Sequence, residues 1–163
     1  MAFSQPVRPA LRLVTRSPRQ TLDTGRRLGA AALPGDCLLL EGPLGAGKTV
    51  LCQGLAEGLS VEQPVVSPTF TLIHEHPGRL RLYHVDLYRL TEAETADLGL
   101  AEYLEAGGVT AIEWAERLPA SGGRAGGLQA VISFGPEEDS RTLEFYPRDA
   151  AGARWLARLE DGR

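Results

Sequence analysis

Residues 37–49 read Cys37-Leu38-Leu39-Leu40-Glu41-Gly42-Pro43-Leu44-Gly45-Ala46-Gly47-Lys48-Thr49, and the fold is decided in this stretch. Four apolar residues and a glutamate fit a short strand buried in a parallel sheet, where both faces are covered and polar alternation disappears. The next eight residues, Gly42 to Thr49, match G-x-x-x-x-G-K-[ST] at every position. Glycines at these places let the backbone curl so that successive N–H groups converge on an anion. The residues from Lys48 to about Leu59 then read as a helix, which adds its unpaired first-turn donors and the positive end of its dipole. Strand, glycine-rich turn and helix in this order are the context in which such a loop holds phosphate. Gly42, Leu44, Gly45, Ala46 and Gly47 are its backbone candidates. The Lys48 ammonium is placed for the β- and γ-phosphates, and the Thr49 hydroxyl for Mg²⁺.

Composition singles out the same place. Of the 17 basic residues, 16 are arginine, and Lys48 is the one lysine. A guanidinium is a wide planar fork, whereas an ammonium is a compact point charge on a thin stem. A chain that uses arginine everywhere else keeps the compact cation at position 48.

Outward from this centre, strands and helices alternate. Val7 to Val14 reads as a first strand. Ser17-Pro18 reads as an N-cap followed by proline at the first helical position, opening a helix that ends near Pro34-Gly35. Beyond the central helix, Val65 to Phe70 is extended and broken by Pro68. Thr71 to His76 and Leu80 to Val85 form a hairpin about Pro77-Gly78. Glu92 to Ala106 is helical with an interruption near Gly99. Val109 to Glu113, Leu128 to Phe134 and Arg141 to Tyr146 are strands, and Ala150 to Leu159 is a closing helix. This alternation predicts an α/β architecture, a mostly parallel central sheet flanked by helices. At 163 residues it suits one domain, 1–163, with Gly122 to Gly127 as a flexible loop.

The apolar fraction is 43%, the charged fraction 23% and the net charge −4, which argues against a broad basic face gripping nucleic acid. No apolar run approaches a membrane span, and Met1 to Leu13 lacks the apolar core of a secretory signal. Cys37 and Cys52 sit in apolar surroundings and make no disulfide framework, so a reducing, cytoplasmic setting is expected.

A phosphate loop needs an acid near the metal and a group that places the attacking water. Glu113 ends the apolar strand from Val109, and the carboxyl ends of parallel strands border the ligand crevice. It is the candidate metal acid. Asp86 ends another apolar strand and can orient water or hold a metal-bound one, or can cap the following turn. Ser67-Pro68-Thr69 lies in an extended segment from which a hydroxyl can reach the γ-phosphate, as switch loops do. His74 and His76 share a strand face; with His84 they could ligate a metal, although a hydrogen-bonded or solvent-facing role is the simpler reading.

Four stretches in order, GPLGAGKT, SPTFTLIHEH, YHVDLYRL and AIEWAE, resemble the TsaE (YjeE) family from about Thr15 to Arg141. The resemblance implies a small P-loop ATPase that uses ATP and Mg²⁺. It implies work with the TsaB and TsaD proteins in forming N6-threonylcarbamoyladenosine at position 37 of tRNAs that read codons starting with A. TsaD transfers the group, and ATP hydrolysis supports repeated turnover; contact with tRNA is indirect. Carried over motif by motif, Lys48 contacts phosphate, Thr49 and Glu113 hold Mg²⁺, and Thr69 and Asp86 belong to the switch regions. Arg16, Pro18 and Arg141 fall where the family holds adenosine. The chain departs from the family pattern at Pro43, at Ala115 and in the histidines of SPTFTLIHEH, and none of these removes a phosphate or metal group.

Three rival readings remain at this level. A small-metabolite kinase could use Arg117 to Gly127 as a lid, with Arg117 and Arg124 on the transferred phosphate. A guanine-specific switch needs Asn-Lys-x-Asp, which a chain whose sole lysine is Lys48 cannot contain. A silent nucleotide-binding scaffold would not require Lys48, Thr49 and Glu113 together. With Arg89 the nearest approach to an arginine finger, hydrolysis by the lone chain is expected to be slow.

Overall fold

Glu41 hands the chain from a buried strand to the phosphate loop, and the sheet around that strand is organised to present this junction. The computed structural model describes residues 8–68, 72–119 and 126–162; Thr69, Arg124 and most of the Gly122–Gly127 stretch lie outside them. Seven strands are described: β1 (Leu11–Thr15), β2 (Cys37–Glu41), β3 (Ile73–His76), β4 (Leu82–Asp86), β5 (Val109–Glu113), β6 (Leu128–Phe134) and β7 (Arg141–Pro147). Five α-helices join them: α1 (Pro18–Ala30), α2 (Lys48–Gly58), α3 (Glu92–Ala96), α4 (Leu100–Leu104) and α5 (Ala150–Asp161).

The strands make one sheet in the order β1-β7-β6-β2-β5-β4-β3. The central four, β6, β2, β5 and β4, run parallel. The flanks do not: β7 pairs antiparallel with β6, β1 with β7, and β3 with β4. The sheet is mixed: parallel through its four central strands, as the alternation of strands and helices predicts, and antiparallel at both edges. For β3–β4 and β6–β7 the reason is connection length: residues 77–81 and 135–140 are too short for the crossover that parallel neighbours need, and hairpins fix antiparallel pairs.

Period-two alternation divides β2 between two apolar layers. Leu38 and Leu40 join Leu28, Leu51, Leu55 and Trp155 in the larger cluster, under α1, α2 and α5. Cys37 and Leu39 join Val85, Leu87 and Ile112 on the other face, with Leu98, Leu100 and Leu104 packed over them. Each fully buried leucine contributes about 1.5–3 kcal/mol, so the strand that leads into the phosphate loop is anchored from both sides.

Helix α1 starts as its sequence predicts: the Ser17 side chain accepts a hydrogen bond from the Gln20 N–H, and Pro18 occupies the first turn. Its contact with α2 is unusually close. Gly25 and Gly29 on α1 face Gly54 and Gly58 on α2, and a Cβ at any of the four would run into backbone of the opposite helix, such as the Leu51 carbonyl beneath Gly25 or the Leu22 carbonyl beneath Gly54. The expected helix over 92–106 is two short helices. Thr91 and Glu94 close a capping box at the start of α3, and Gly99, at φ 72°, turns the chain into α4.

Candidate active site

The loop between β2 and α2 has the backbone its glycines predict. Gly42, Gly45 and Gly47 have φ of 152°, 79° and 110°. At Gly42 a side chain is also excluded by space, since a Cβ there would meet the Ile132 carbonyl of the neighbouring strand. Gly47 is the N-cap of α2 and no side chain caps that end, so the first-turn donors are left for an anion. Lys48 is only 5% exposed. Its Nζ donates to the Gly42 and Pro43 carbonyls at 2.6 and 3.0 Å and stands 4.0 Å from the centre of the Trp114 ring. Burial lowers the ammonium's pKa, while the carboxylates of Glu116, Glu113 and Asp86 pull the other way.

Register then brings in the acids. β4 and β5 are adjacent parallel strands, and Asp86 and Glu113 are partners at their carboxyl ends. The Thr49 hydroxyl donates to Glu113 Oε1 at 2.9 Å. Two hard oxygen groups at this spacing suit Mg²⁺, whose neighbouring ligands in an octahedron of about 2.1 Å bonds lie about 3 Å apart. The donor set therefore fits the metal expected there. Asp86, 3% exposed, accepts from the Ser67 hydroxyl at 2.7 Å and from the Tyr88 N–H at 2.8 Å. It thus caps the next turn and also ties segment 65–68 to the acids. The cavity these residues share, about 440 Å³, opens over Lys48, Thr49, Ser67, Asp86, Glu113 and Trp114.

A second cavity of about 190 Å³ lies on the far side of the loop, between Pro18, Thr21, Val50, Asp139 and Arg141, and shares Gly45 and Gly47 with the first. Arg141 is pinned there: its Nε donates to the Ala46 carbonyl at 3.0 Å and its guanidinium lies 4.9 Å from the centre of the Phe134 ring. Of the residues expected near adenosine, Pro18 and Arg141 line this cavity. Arg16 does not: it is exposed, and its N–H is held by the Gln20 side chain. Thr69 lies outside the described residues.

The sequence reading missed three participants. Trp114 sits at φ 60°, a conformation that costs a non-glycine residue about 1–3 kcal/mol, and this turn carries its ring over Lys48. Arg117, considered only as a lid residue, lies 5.5 and 5.8 Å from the ring centres of Tyr88 and Trp114. His84, fully buried, contacts Glu113 Oε2 through Nε2 at 2.6 Å. The signal for His84 was present: it lies two residues before Asp86 on one strand and so shares its face. The three histidines do not act as one group. His76 is buried without a hydrogen-bond partner for either ring nitrogen among the described residues, and His74 meets it edge-on at 5.9 Å. Cys52, His84 and Glu113, all buried, bring ligand-type atoms within 4.8 Å of one another, and burial raises the Cys52 thiol well above its usual range.

Fold and site together define an α/β protein of the P-loop class. The family model described as "Threonylcarbamoyl adenosine biosynthesis protein TsaE" matches residues 15–141, and the chain belongs to that family. It is 46% identical over 152 residues to the tRNA threonylcarbamoyladenosine biosynthesis protein TsaE of Bacillus subtilis, covering 90% of each chain. To the protein of the same name from Nostoc sp. it is 47% identical over 132 residues, which is 78% of this chain and 80% of that one. The crystal structure of Bacillus subtilis YdiB superposes with a TM-score of 0.78 at 37% identity, covering 93% of this chain and 95% of that one.

Proposed function

We propose that this chain is a Mg²⁺-dependent ATPase that works with TsaB and TsaD in forming N6-threonylcarbamoyladenosine at position 37 of tRNAs reading codons that start with A. The observation that carries the reading is the pairing of the Thr49 hydroxyl with the Glu113 carboxylate at 2.9 Å, at the mouth of a phosphate loop. The names of relatives at 46–47% identity support the pathway.

In this reading the first-turn N–H groups of α2 and the curled backbone of 42–47 bind the phosphates, with Lys48 as the adjoining cation. Thr49 and Glu113 would hold Mg²⁺, which would supply charge neutralisation to the phosphates. Asp86, fixed by Ser67 and the Tyr88 N–H, orients the water that attacks the γ-phosphorus, releasing ADP and phosphate. The cavity beside Pro18 and Arg141 takes the adenosine.

No arginine is in the described wall of the catalytic cavity. A cis-acting or trans-acting arginine typically supplies a roughly 10³–10⁵-fold gain. The chain alone is therefore slow, and its partners supply or order the missing group. No helix among the described residues is long and apolar enough to cross a membrane. We place the reaction in the cytoplasm, where tRNA and the reduced Cys37 and Cys52 thiols belong together.

ATP hydrolysis by the purified chain with Mg²⁺, with and without the TsaB–TsaD pair, tests this. The expected result is a slow basal rate that rises at least about tenfold with the pair and vanishes in Lys48→Ala. Hydrolysis indifferent to the pair would overturn the partner assignment, and hydrolysis surviving in Lys48→Ala would overturn the site.

A further inference from the structure

A metal-binding carboxylate must be aimed, because rotation about its terminal torsion is broad and roughly two-fold. Glu113 is aimed from both sides. One oxygen, Oε1, meets the Thr49 hydroxyl at 2.9 Å. The other, Oε2, meets His84 Nε2 at 2.6 Å. The two partners come from different elements: Thr49 from the first turn of α2, His84 from the middle of β4. In the β4–β5 register Asp86 is opposite Glu113 and His84 is opposite Ala111, one pleat deeper. His84 therefore reaches Glu113 from beneath, inside the sheet, while the crevice lies above.

Burial makes this contact consequential. His84 is 0% exposed and Glu113 2% exposed, so water does not compete for Oε2. As a carboxylate Glu113 only accepts, which makes Nε2–H the donor in this contact. Nδ1 is buried without a partner, which a lone pair tolerates better than an N–H would.

We propose that His84 is a positioning residue for the reaction. Its Nε2–H takes up Glu113 Oε2, and so holds Oε1 beside the Thr49 hydroxyl as a preformed pair of oxygen ligands for the divalent cation. The inference rests on the Mg²⁺–ATP reading above and deepens it. It also separates the two acids: Asp86 is tied to segment 65–68 by Ser67, whereas Glu113 is tied to the sheet interior by His84.

Two substitutions separate positioning from packing. His84→Phe keeps a ring of similar volume and deletes the donor; His84→Gln places an amide donor near the Nε2 position. Loss of an orienting partner to a metal ligand typically lowers metal affinity or activity about 10–100-fold. His84→Phe is expected to raise the Mg²⁺ concentration for half-maximal ATP hydrolysis at least about tenfold, with ATP affinity in EDTA within about twofold of wild type, and His84→Gln to recover most of the loss. An unchanged Mg²⁺ requirement in His84→Phe, or no recovery in His84→Gln, would overturn the proposal. Should His84→Phe fail to fold, ¹⁵N imidazole spectra of the unaltered protein decide it: a proton on Nε2 is expected, and a bare Nε2 would overturn it. Absence of any Mg²⁺ dependence in the unaltered protein is a different failure, which removes the magnesium reading and this inference with it.

Discussion

The two sides of the phosphate loop are built on different physical terms. On one side α1 and α2 meet backbone to backbone through Gly25, Gly29, Gly54 and Gly58, with no side chain between them that could yield. On the other, the acids and segment 65–68 are held by individual side-chain hydrogen bonds, Ser67 to Asp86 and Thr49 and His84 to Glu113. Two residues on that second side, Leu72 and Trp114, also have positive φ, and Leu72 accepts the Asp86 N–H. The glycine seam fixes the distance between the cavity beside Pro18 and Arg141 and the glycine-rich loop. The hydrogen-bonded side keeps several discrete contacts that the proposed nucleotide and partners could exchange. The proposed ATPase, which would bind a nucleotide and then respond to its hydrolysis, has use for both.

The contrast can be broken first at the seam. Gly54→Ala would press a methyl group into the Leu22 carbonyl and the Arg26 N–H. A loss of about 3 kcal/mol in urea unfolding is expected, the upper part of the range for overpacking, since backbone lies on both sides. A loss below about 1 kcal/mol would mean that the helices can separate and the seam is not rigid.

The acid side should respond in rate rather than stability. Glu113→Gln retains size and an acceptor but removes the charge. It should lower kcat about 100-fold, equivalent to about 2.7 kcal/mol, with a much smaller change in Tm. A Tm shift as large as that of Gly54→Ala would show that the acid is a structural support.

A pH-dependent contrast lies deeper in the sheet. The Cys37 thiol is pushed from 9.0 to about 12, by burial first and then by Asp149 and Asp36. A raised folded-state pKa means that the stabilising contribution is complete below 9.0 and is lost as pH rises toward about 12. Stability should fall in that window by about 1.4 kcal/mol per pH unit for this thiol, and Cys37→Ala should fall less steeply. Parallel slopes from pH 9 to 11 would contradict this.

The smallest effect is expected where the acid side is weakest. Ser67→Ala deletes one hydrogen bond to Asp86, and about 1 kcal/mol of stability or less should go with it, while basal ATP hydrolysis changes more than unfolding does. An unaltered basal rate would detach segment 65–68 from the water-orienting role proposed for Asp86.

Much of this was legible from residue types. The strand Cys37–Glu41, the loop, the helix after it and the acid at Glu113 follow from local rules, because each depends on neighbours in the chain. The bounds of β2, β5 and β6 agree with the periodic apolar runs. What local rules do not reach is the pairing of distant elements. Glycines spaced i, i+4 on α1 and α2 are visible in sequence, but their meaning appears only when the two helices face one another. Likewise His84 reads as one of three histidines until the register places it under Glu113. One antiparallel edge, the β3–β4 hairpin, was read from Pro77-Gly78; the antiparallel pairs of β7 with β6 and with β1 were hidden, because an alternating order of strands and helices suggests crossovers.

The central claim is that ATP turnover at Lys48, Thr49 and Glu113 drives repeated tRNA modification. The most direct measurement counts N6-threonylcarbamoyladenosine formed per TsaB–TsaD pair, with Mg²⁺ and ATP, in the presence of this chain or of Lys48→Ala. The account predicts many modifications per pair with the unaltered chain and about one or fewer with the variant. Equal yields with both would contradict it.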